Sequence, residues 1–497
     1  MTLRITTALL IWCAAMALPL PASAQATFTT LYSFCTQGAF PDCTDGLSPE
    51  AGLIQAANGA FYGTTNAGGE TEYGGTVFKI TPGGSLTTVS SFCAYGTYPS
   101  CTDGGSPTVG LIQASDGGLY GTTYVGGRDK GFGTIFKFSP TNGALTTLYS
   151  FCPHNKLHGI CTDGLYPNGL IEAANGAFYG TTEEGGANVK EDYCRPGCGT
   201  IFKITASGAL TTLYSFCSQT NCTDGYFPTS GLIQGTDGNF YGTTLFGGAY
   251  GFGTVFKLSP GGTLTTLHSF DNIDGAYPEA SLIQGTDDNF YGTASAGGGN
   301  FLGTVFKMTP GGAVTTLHSF DGTDGEWPYA PLIRATDGNF YGLTNFAGAH
   351  SGGTVFTITP GGTLTTLYDF CSQPGCTDGG RPEGALIQGT DGAFYGTTSS
   401  YGATEDSTGT VFRLSVGLGP FVETVPASQK VGRMVRILGT DLTGAGSVTF
   451  NGTAATFTVT SKSEIITTVP PGATSGFVEV TTPGGTLKSN AAFTVTP

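Results

Sequence analysis

The chain has 497 residues, of which 82 are Gly and 26 are Pro, and only 11% are charged. Gly and Pro together fall short of the roughly 25–30% that marks low-complexity disorder, and a hydrophobic content of 39% can build a core. So few charges and no helix-forming runs exclude a bundle, a coiled coil and a charged disordered tail, while a net charge of −16 without a Lys/Arg cluster argues against nucleic acid and anionic lipid as partners.

Residues 1–24 read as a secretory signal. Arg4 is the positive n-region, Ile5 to Leu20 the apolar stretch, and Ala22-Ser23-Ala24 the small-residue cleavage site. The apolar stretch is shorter than the ~20 residues of a membrane span and contains Pro19, and no later segment has the length and apolarity to cross a bilayer. The expected location is outside the cytoplasm: extracellular, cell-surface or periplasmic. Cys13 leaves with the signal, so an even number of cysteines remains in an oxidising compartment.

From Phe28 onward the sequence repeats. An element of the form Leu-Thr-Thr-Leu-Tyr-Ser-Phe first stands alone at 28–34 and then recurs six times, the last at 364–370. Between its copies come Leu-Ile (from Leu53), Tyr-Gly (from Tyr62) and Gly-Thr-(Val/Ile)-Phe (from Gly75), each present seven times. All four elements are short, β-branched or aromatic, and bounded by turn residues, so each reads as a strand. Asn-Gly or Asp-Gly, as at Asn58-Gly59 and Asp116-Gly117, links the first two strands. This pair is the signature of a two-residue hairpin with both central residues at positive φ. Pro-Gly-Gly, as at Pro82 to Gly84, links the last two.

Four antiparallel strands repeated every 50–65 residues or so describe a propeller blade. The final unit, Leu386 to Leu414, lacks its fourth strand, and the lone 28–34 strand supplies it. The expected fold is all-β: a seven-bladed β-propeller over 25–416, closed by the N-terminal strand. The repeated Leu-Ile-Gln, Phe-Tyr-Gly-Thr-Thr and Gly-Thr-Val-Phe elements resemble the GloVer tandem-repeat family of secreted bacterial proteins. That resemblance covers about Phe28 to Ser415 and implies export and a propeller-like repeat, with no particular activity. Members often end in a protein-sorting anchor, whereas this sequence ends at Pro497 without a hydrophobic tail.

After Val416 the repeat stops. Residues 417–497 open on the linker Gly417 to Pro420 and continue as short alternating segments such as Met434–Leu438, Ser447–Phe450 and Ile465–Val469, the pattern of a small immunoglobulin-like sandwich. Val435-Arg436-Ile437-Leu438-Gly439, Val448-Thr449-Phe450-Asn451-Gly452 and Thr482-Pro483-Gly484-Gly485 resemble the IPT/TIG family. Some members contact DNA; the acidic, exported context here points instead to spacing or adhesion.

Antiparallel order puts the tight turns on one face and the longer, more variable connections on the other, and such variable loops host binding. Cys35/Cys43, Cys93/Cys101, Cys152/Cys161, Cys217/Cys222 and Cys371/Cys376 each flank one inter-blade loop, and the blades with Asp271 and Asp321 have lost both members. This joint presence and absence predicts disulfides within loops, each contributing about 2 kcal/mol by loop entropy. Cys194 and Cys198 make a sixth pair. The alternative for them, a Cys-x3-Cys zinc half-site, has no second half and no nearby His pair in the sequence.

Asp-Gly-x-x-Pro recurs in every inter-blade loop, at Asp45, Asp103, Asp163, Asp224, Asp274, Asp324 and Asp378. A carboxylate ring suits calcium, but Asp before Gly also builds a turn, and no resident metal or cofactor is expected. Residues that break the symmetry are better candidates. Tyr166, Phe227, Tyr277 and Trp327 occupy the position before the loop proline in four consecutive blades, either stacking on a sugar or peptide or packing between blades. Glu172 and Arg334 replace the usual Gln, and Glu50, Glu279 and Glu383 follow the loop proline. A propeller glycosidase or lyase would need two such carboxylates facing each other, with Glu172 and Glu279 the candidates and Arg334 to hold an anionic group. The leading reading is a non-enzymatic scaffold whose loop face holds a glycan or extracellular protein. A polysaccharide-acting hydrolase or lyase is the alternative.

Overall fold

The computed structural model describes residues 26–38, 40–128, 131–153, 161–190, 193–403 and 408–496. The signal-like segment and His154 and His158 lie outside the described residues. The repeats fold into seven four-stranded antiparallel sheets. In blade 1 the strands are Ile54–Gln55, Phe61–Thr65, Thr76–Ile80 and Leu86–Ser91, running in sequence order across the sheet. Blades 2 to 6 repeat that order.

Blade 7 joins the two ends of the repeat. Ile387–Gln388, Phe394–Thr398 and Thr410–Ser415 take the strand Thr27–Ser33 as their fourth member, with Thr27 opposite Ser415 and Ser33 opposite Thr410. Phe28 stacks on Tyr368 of blade 6 at 3.8 Å, so the closing strand is held by side chains as well as by its ladder.

The two residues at the start of each second strand explain how the blades adhere. At six of the seven junctions the Tyr of this element meets the Phe of the next blade, as in Tyr179–Phe240 at 4.1 Å and Tyr241–Phe290 at 4.2 Å, while blade 2 offers Leu119 to Tyr62. Tyr395 of blade 7 meets Phe61 of blade 1 at 4.0 Å, which closes the series. Glycine follows because a Cβ at Gly63 would stand 2.5 Å from Phe78. Buried hydroxyl pairs such as Thr65–Thr76 at 2.9 Å tie strand two to strand three.

The hairpins differ from the two-residue turns expected. Gly59 has φ 76° while Asn58 keeps an ordinary negative φ, and Ala56 N–H donates to Ala60 O. The loop therefore has three residues, a turn followed by one left-handed glycine, and the Asn58 side chain caps it by accepting from Ala60 N–H. The Pro-Gly-Gly turn closes in the same way, with Gly84 at φ 89°.

Residues after 420 form a sandwich of two four-stranded sheets and a short parallel pair, with Val435, Ile437, Phe450, Ile465 and Val480 among its buried residues. It seats on the hairpin face: Phe421 N–H donates to Thr390 O, Thr390 and Thr440 hydroxyls meet at 2.8 Å, and Ser463 Oγ donates to Ala57 O. The opposite, loop-bearing face of the propeller is free of these contacts. Among the described residues no helix is long and apolar enough to cross a membrane.

Candidate functional site

The aspartates of the seven-fold loop motif are engaged within their own loops. Asp224 Oδ2 accepts from Tyr214 Oη, Ser218 N–H and Ser218 Oγ, and Asp45 and Asp378 repeat the arrangement. In the outer strands of blades 4 and 5 a histidine takes the tyrosine's place, with His268 and His318 Nε2 at 2.6 Å from Asp274 and Asp324. Those histidines are loop anchors. Bridges Cys35–Cys43, Cys93–Cys101, Cys152–Cys161, Cys217–Cys222 and Cys371–Cys376 close the other loops, and Cys194–Cys198 is also bridged. In the connections from blade 4 to blade 5 and from blade 5 to blade 6, which lack cysteines, Asp271 Oδ1 accepts from Ile273 and Asp274 N–H, and Asp321 Oδ1 from Thr323 N–H.

The position before the loop proline is left-handed in all seven blades, with φ between 50° at Ser48 and 58° at Tyr277. Large side chains rarely adopt this conformation. It is held from both sides: Trp327 N–H donates to Leu302 O of the preceding blade, and Trp327 O accepts from Asn345 N–H of its own. The side chain is thereby turned onto the loop face.

The four aromatics do not form one continuous crescent. Tyr166 stacks on Tyr124 at 4.5 Å, Tyr277 meets Phe246 edge-on at 5.4 Å, and Phe227 lies between Tyr226 and Phe246. These three are half-buried. Trp327 is the exposed one, at 40%, lying parallel to Phe346 at 5.8 Å and beside Tyr329.

The residue after the loop proline faces the central channel in six blades, Asn168 of blade 3 instead donating to Pro228 O. Glu50, Thr108, Thr229, Glu279, Tyr329 and Glu383 line a cavity of about 320 Å³. Thr108 also borders a second cavity of about 410 Å³, walled by Asn66, Tyr73, Tyr98, Tyr124, Asn168 and Glu183. Asn66 Nδ2 donates to Glu50 at 2.8 Å, Ser295 Oγ donates to Glu279 at 2.7 Å, and Ser399 Oγ and Asn345 Nδ2 reach Glu383.

Burial raises all of these carboxyls. Glu50 is pushed up to about 7, chiefly by desolvation, with the charge of Glu383 adding to it and the Asn66 bond opposing it. Desolvation also raises Glu279, with the field of Glu183 reinforcing it, and raises Glu383 against its hydrogen bonds and Arg381. Glu183 rises by burial, and its neighbour Glu184 reaches about 7 through burial and then the charge of Glu183. The mouth thus holds carboxyls of which some stay protonated near neutrality, beside exposed rings.

Glu172 and Arg334 are elsewhere. Glu172 accepts from Ser115 N–H at 2.8 Å and Ser115 Oγ at 2.6 Å, bonding blade 3 to the hairpin of blade 2. Gln234, Gln284 and Gln388 make the same clasp to Ala174, Thr236 and Thr336 N–H. Arg334 holds that position in blade 6, its Nη2 beside hairpin Gly338. Both stand on the hairpin face, so the pairing of Glu172 with Glu279 across one substrate is corrected: the strand that carries Glu172 ends at the tight turn, not at the channel mouth.

Sequence reasoning passed over Glu183, Asn66, Asn345 and Ser295. All occupy the position directly after Phe-Tyr-Gly-Thr-Thr, where the blades carry Asn66, Tyr124, Glu183, Leu245, Ser295, Asn345 and Ser399. That variability within an otherwise constant element was the available signal.

Family models match this chain over residues 21–191 and 166–412, as the Gloeobacter/Verrucomicrobia repeat, and over 421–495, as the IPT/TIG domain. The chain belongs to the Gloeobacter/Verrucomicrobia repeat family. No curated protein sequence matches it. Solved structures of related shape include a fungal alcohol oxidase of the AA5 family in complex with copper, at 12% identity, TM-score 0.48, 96% of this chain and 100% of that one. A gluconolactonase from Xanthomonas campestris matches at 13% identity and TM-score 0.36, over 60% of this chain and 82% of that one. TolB from Acinetobacter baumannii matches at 12% identity and TM-score 0.36, over 63% and 61%. All three are remote from this Gloeobacter/Verrucomicrobia repeat protein.

Proposed function

We propose that this repeat protein is an exported binding scaffold that holds a glycan at the loop face of its propeller. One observation carries the reading: exposed Trp327 stands with Tyr329 at the rim of a channel lined by carboxyl, hydroxyl and phenol groups. Aromatic faces stack on the apolar faces of sugar rings, while a few fixed polar groups around a concavity select hydroxyl orientation. The sandwich domain, docked on the other face, serves as spacer or adhesive module and leaves the site open. Even cysteine pairing and the signal-like N-terminus support an oxidising location outside the cytoplasm.

Trp327 is the one tryptophan outside the signal-like segment, since the sequence holds only Trp12 besides it. A panel of soluble glycans should therefore perturb the intrinsic emission. If no glycan changes that emission, and calorimetry also detects no binding, the glycan reading fails.

A second reading has its own observation. Glu50 is raised to about 7, and the charge of an ionised Glu383 favours a proton on Glu50. One protonated and one ionised carboxyl is the division of roles that acid–base cleavage of a polysaccharide requires. Reducing-end and unsaturated-product assays test it, with Glu50→Gln and Glu383→Gln as variants. Turnover unchanged by both removes these residues from any mechanism.

A further inference from the structure

The loop between the second and third strands of blade 3 carries Cys194 and Cys198, and the connection from blade 3 to blade 4 carries Cys217 and Cys222. The fold brings these two loops together. The sulfurs of Cys194, Cys198 and Cys217 all lie within 4.8 Å of one another, and Cys222 is bonded to Cys217. All four side chains are at most 2% exposed and pack in one cluster with Phe216. Among the described residues no other His, Cys, Asp and Glu side chains meet so closely in a group of three.

The sequence offered one Cys-x3-Cys half-site without a second half. The tertiary structure supplies the second half as Cys-x4-Cys. Thiolates at about 2.3 Å from a tetrahedral zinc ion stand roughly 3.8 Å apart, inside the 4.8 Å that spans Cys194, Cys198 and Cys217, and Cys222 is tied to that group through Cys217. Soft sulfur ligands select zinc over the hard cations that carboxylates favour.

We propose that this cluster is a two-state cross-link: two disulfides when oxidised, and a single four-thiolate site for Zn²⁺ when both are reduced. A dithiol reductant gives two electrons and two protons to each bridge and becomes a disulfide itself, leaving four thiols. Zn²⁺ then takes four thiolates, the four protons pass to solvent, and no electron moves in that step. Either state ties the same two loops. These loops carry Tyr193 and Tyr226, whose rings are 6.2 Å apart, and Cys198 O accepts from Phe227 N–H. The metal state would therefore hold the aromatic edge of the loop face as the bridges do. The inference stands apart from the glycan reading.

The test uses the full chain without its signal-like segment, reduced by a water-soluble phosphine. The phosphine takes up the oxygen of water and leaves no competing thiol. Titration with Co²⁺ should give one equivalent bound, with thiolate charge-transfer absorption and tetrahedral ligand-field bands that Zn²⁺ then abolishes. The C194S/C198S double variant should lose these bands and C371S/C376S should keep them. On the unmutated chain, bound Zn²⁺ should slow alkylation of Cys194, Cys198, Cys217 and Cys222 by at least tenfold relative to the remaining cysteines, read by peptide mass. Absence of tetrahedral bands, their survival in C194S/C198S, or uniform alkylation would each overturn the proposal.

Discussion

Replacing Glu50 by Gln isolates the cost of a charge at the channel mouth. The amide oxygen of Gln can accept the same 2.8 Å bond from Asn66, so geometry is kept and only ionisation is removed. The folded-state carboxyl moves from 4.5 to about 7. At about 1.36 kcal/mol per tenfold change in proton affinity, that is an upper figure of about 3 kcal/mol. The sign follows from proton counting. Between those two values the folded chain binds more protons at Glu50 than the unfolded chain does, so stability from this group is present in acid and is lost as pH rises through about 7. Wild type should therefore weaken from pH 5 to pH 8, while Glu50→Gln should be flatter and more stable at pH 8. For a propeller of about 390 residues the unfolding entropy is about 0.8 kcal/mol/K, which converts the effect to about 4 °C in Tm. Calorimetric melts of both proteins at pH 5, 6, 7 and 8, with disulfides intact, read it directly. Parallel curves across that range, or a less stable variant at pH 8, would refute the desolvation argument.

Three further outcomes are expected. Trp327→Ala should weaken glycan binding about two- to tenfold, the worth of one aromatic stack, with no change in the far-UV spectrum; titration by calorimetry checks it, because the variant has lost its emission. Glu172→Gln should melt within about 1 °C of wild type because other blades use Gln in the same clasp, whereas Glu172→Ala should cost about 1–3 kcal/mol by leaving Ser115 N–H without its acceptor, and neither should alter loop-face binding. Deleting residues 27–33 removes the fourth strand of blade 7 and exposes the edge of Thr410–Ser415; size-exclusion chromatography should then show aggregation, and a monomer with the wild-type melt would contradict ring closure by that strand.

Much of the fold was legible because its signals are local. Strands repeat with turn residues at fixed offsets, and the unpaired strand at 28–34 matches the vacancy after Leu414. The hairpin type was misread because the Asn-Gly pair also fits a three-residue loop, and only the φ of Asn58 distinguishes the two. Glu172 was legible and missed: it stands just before the hairpin, and antiparallel order alone puts that end of the strand away from the channel. Glu183 directly follows the constant Phe-Tyr-Gly-Thr-Thr element, at a position that differs from blade to blade and is marked by no motif of its own.

By itself the sequence determined the all-β repeat, the seven-fold register, the sandwich after residue 420 and the cysteine partners within each loop, since each follows from neighbours close in the chain. Only the tertiary structure decided which groups meet across blades. Glu50 feels Glu383 because the ring closes, Trp327 stays exposed while Tyr166 is stacked away, and two cysteine pairs abut because separate loops fold onto the same face. Pattern fixes local conformation through sterics and turn chemistry. Burial, electric field and ligand geometry depend on distances through space, and these exist only once the ring is shut.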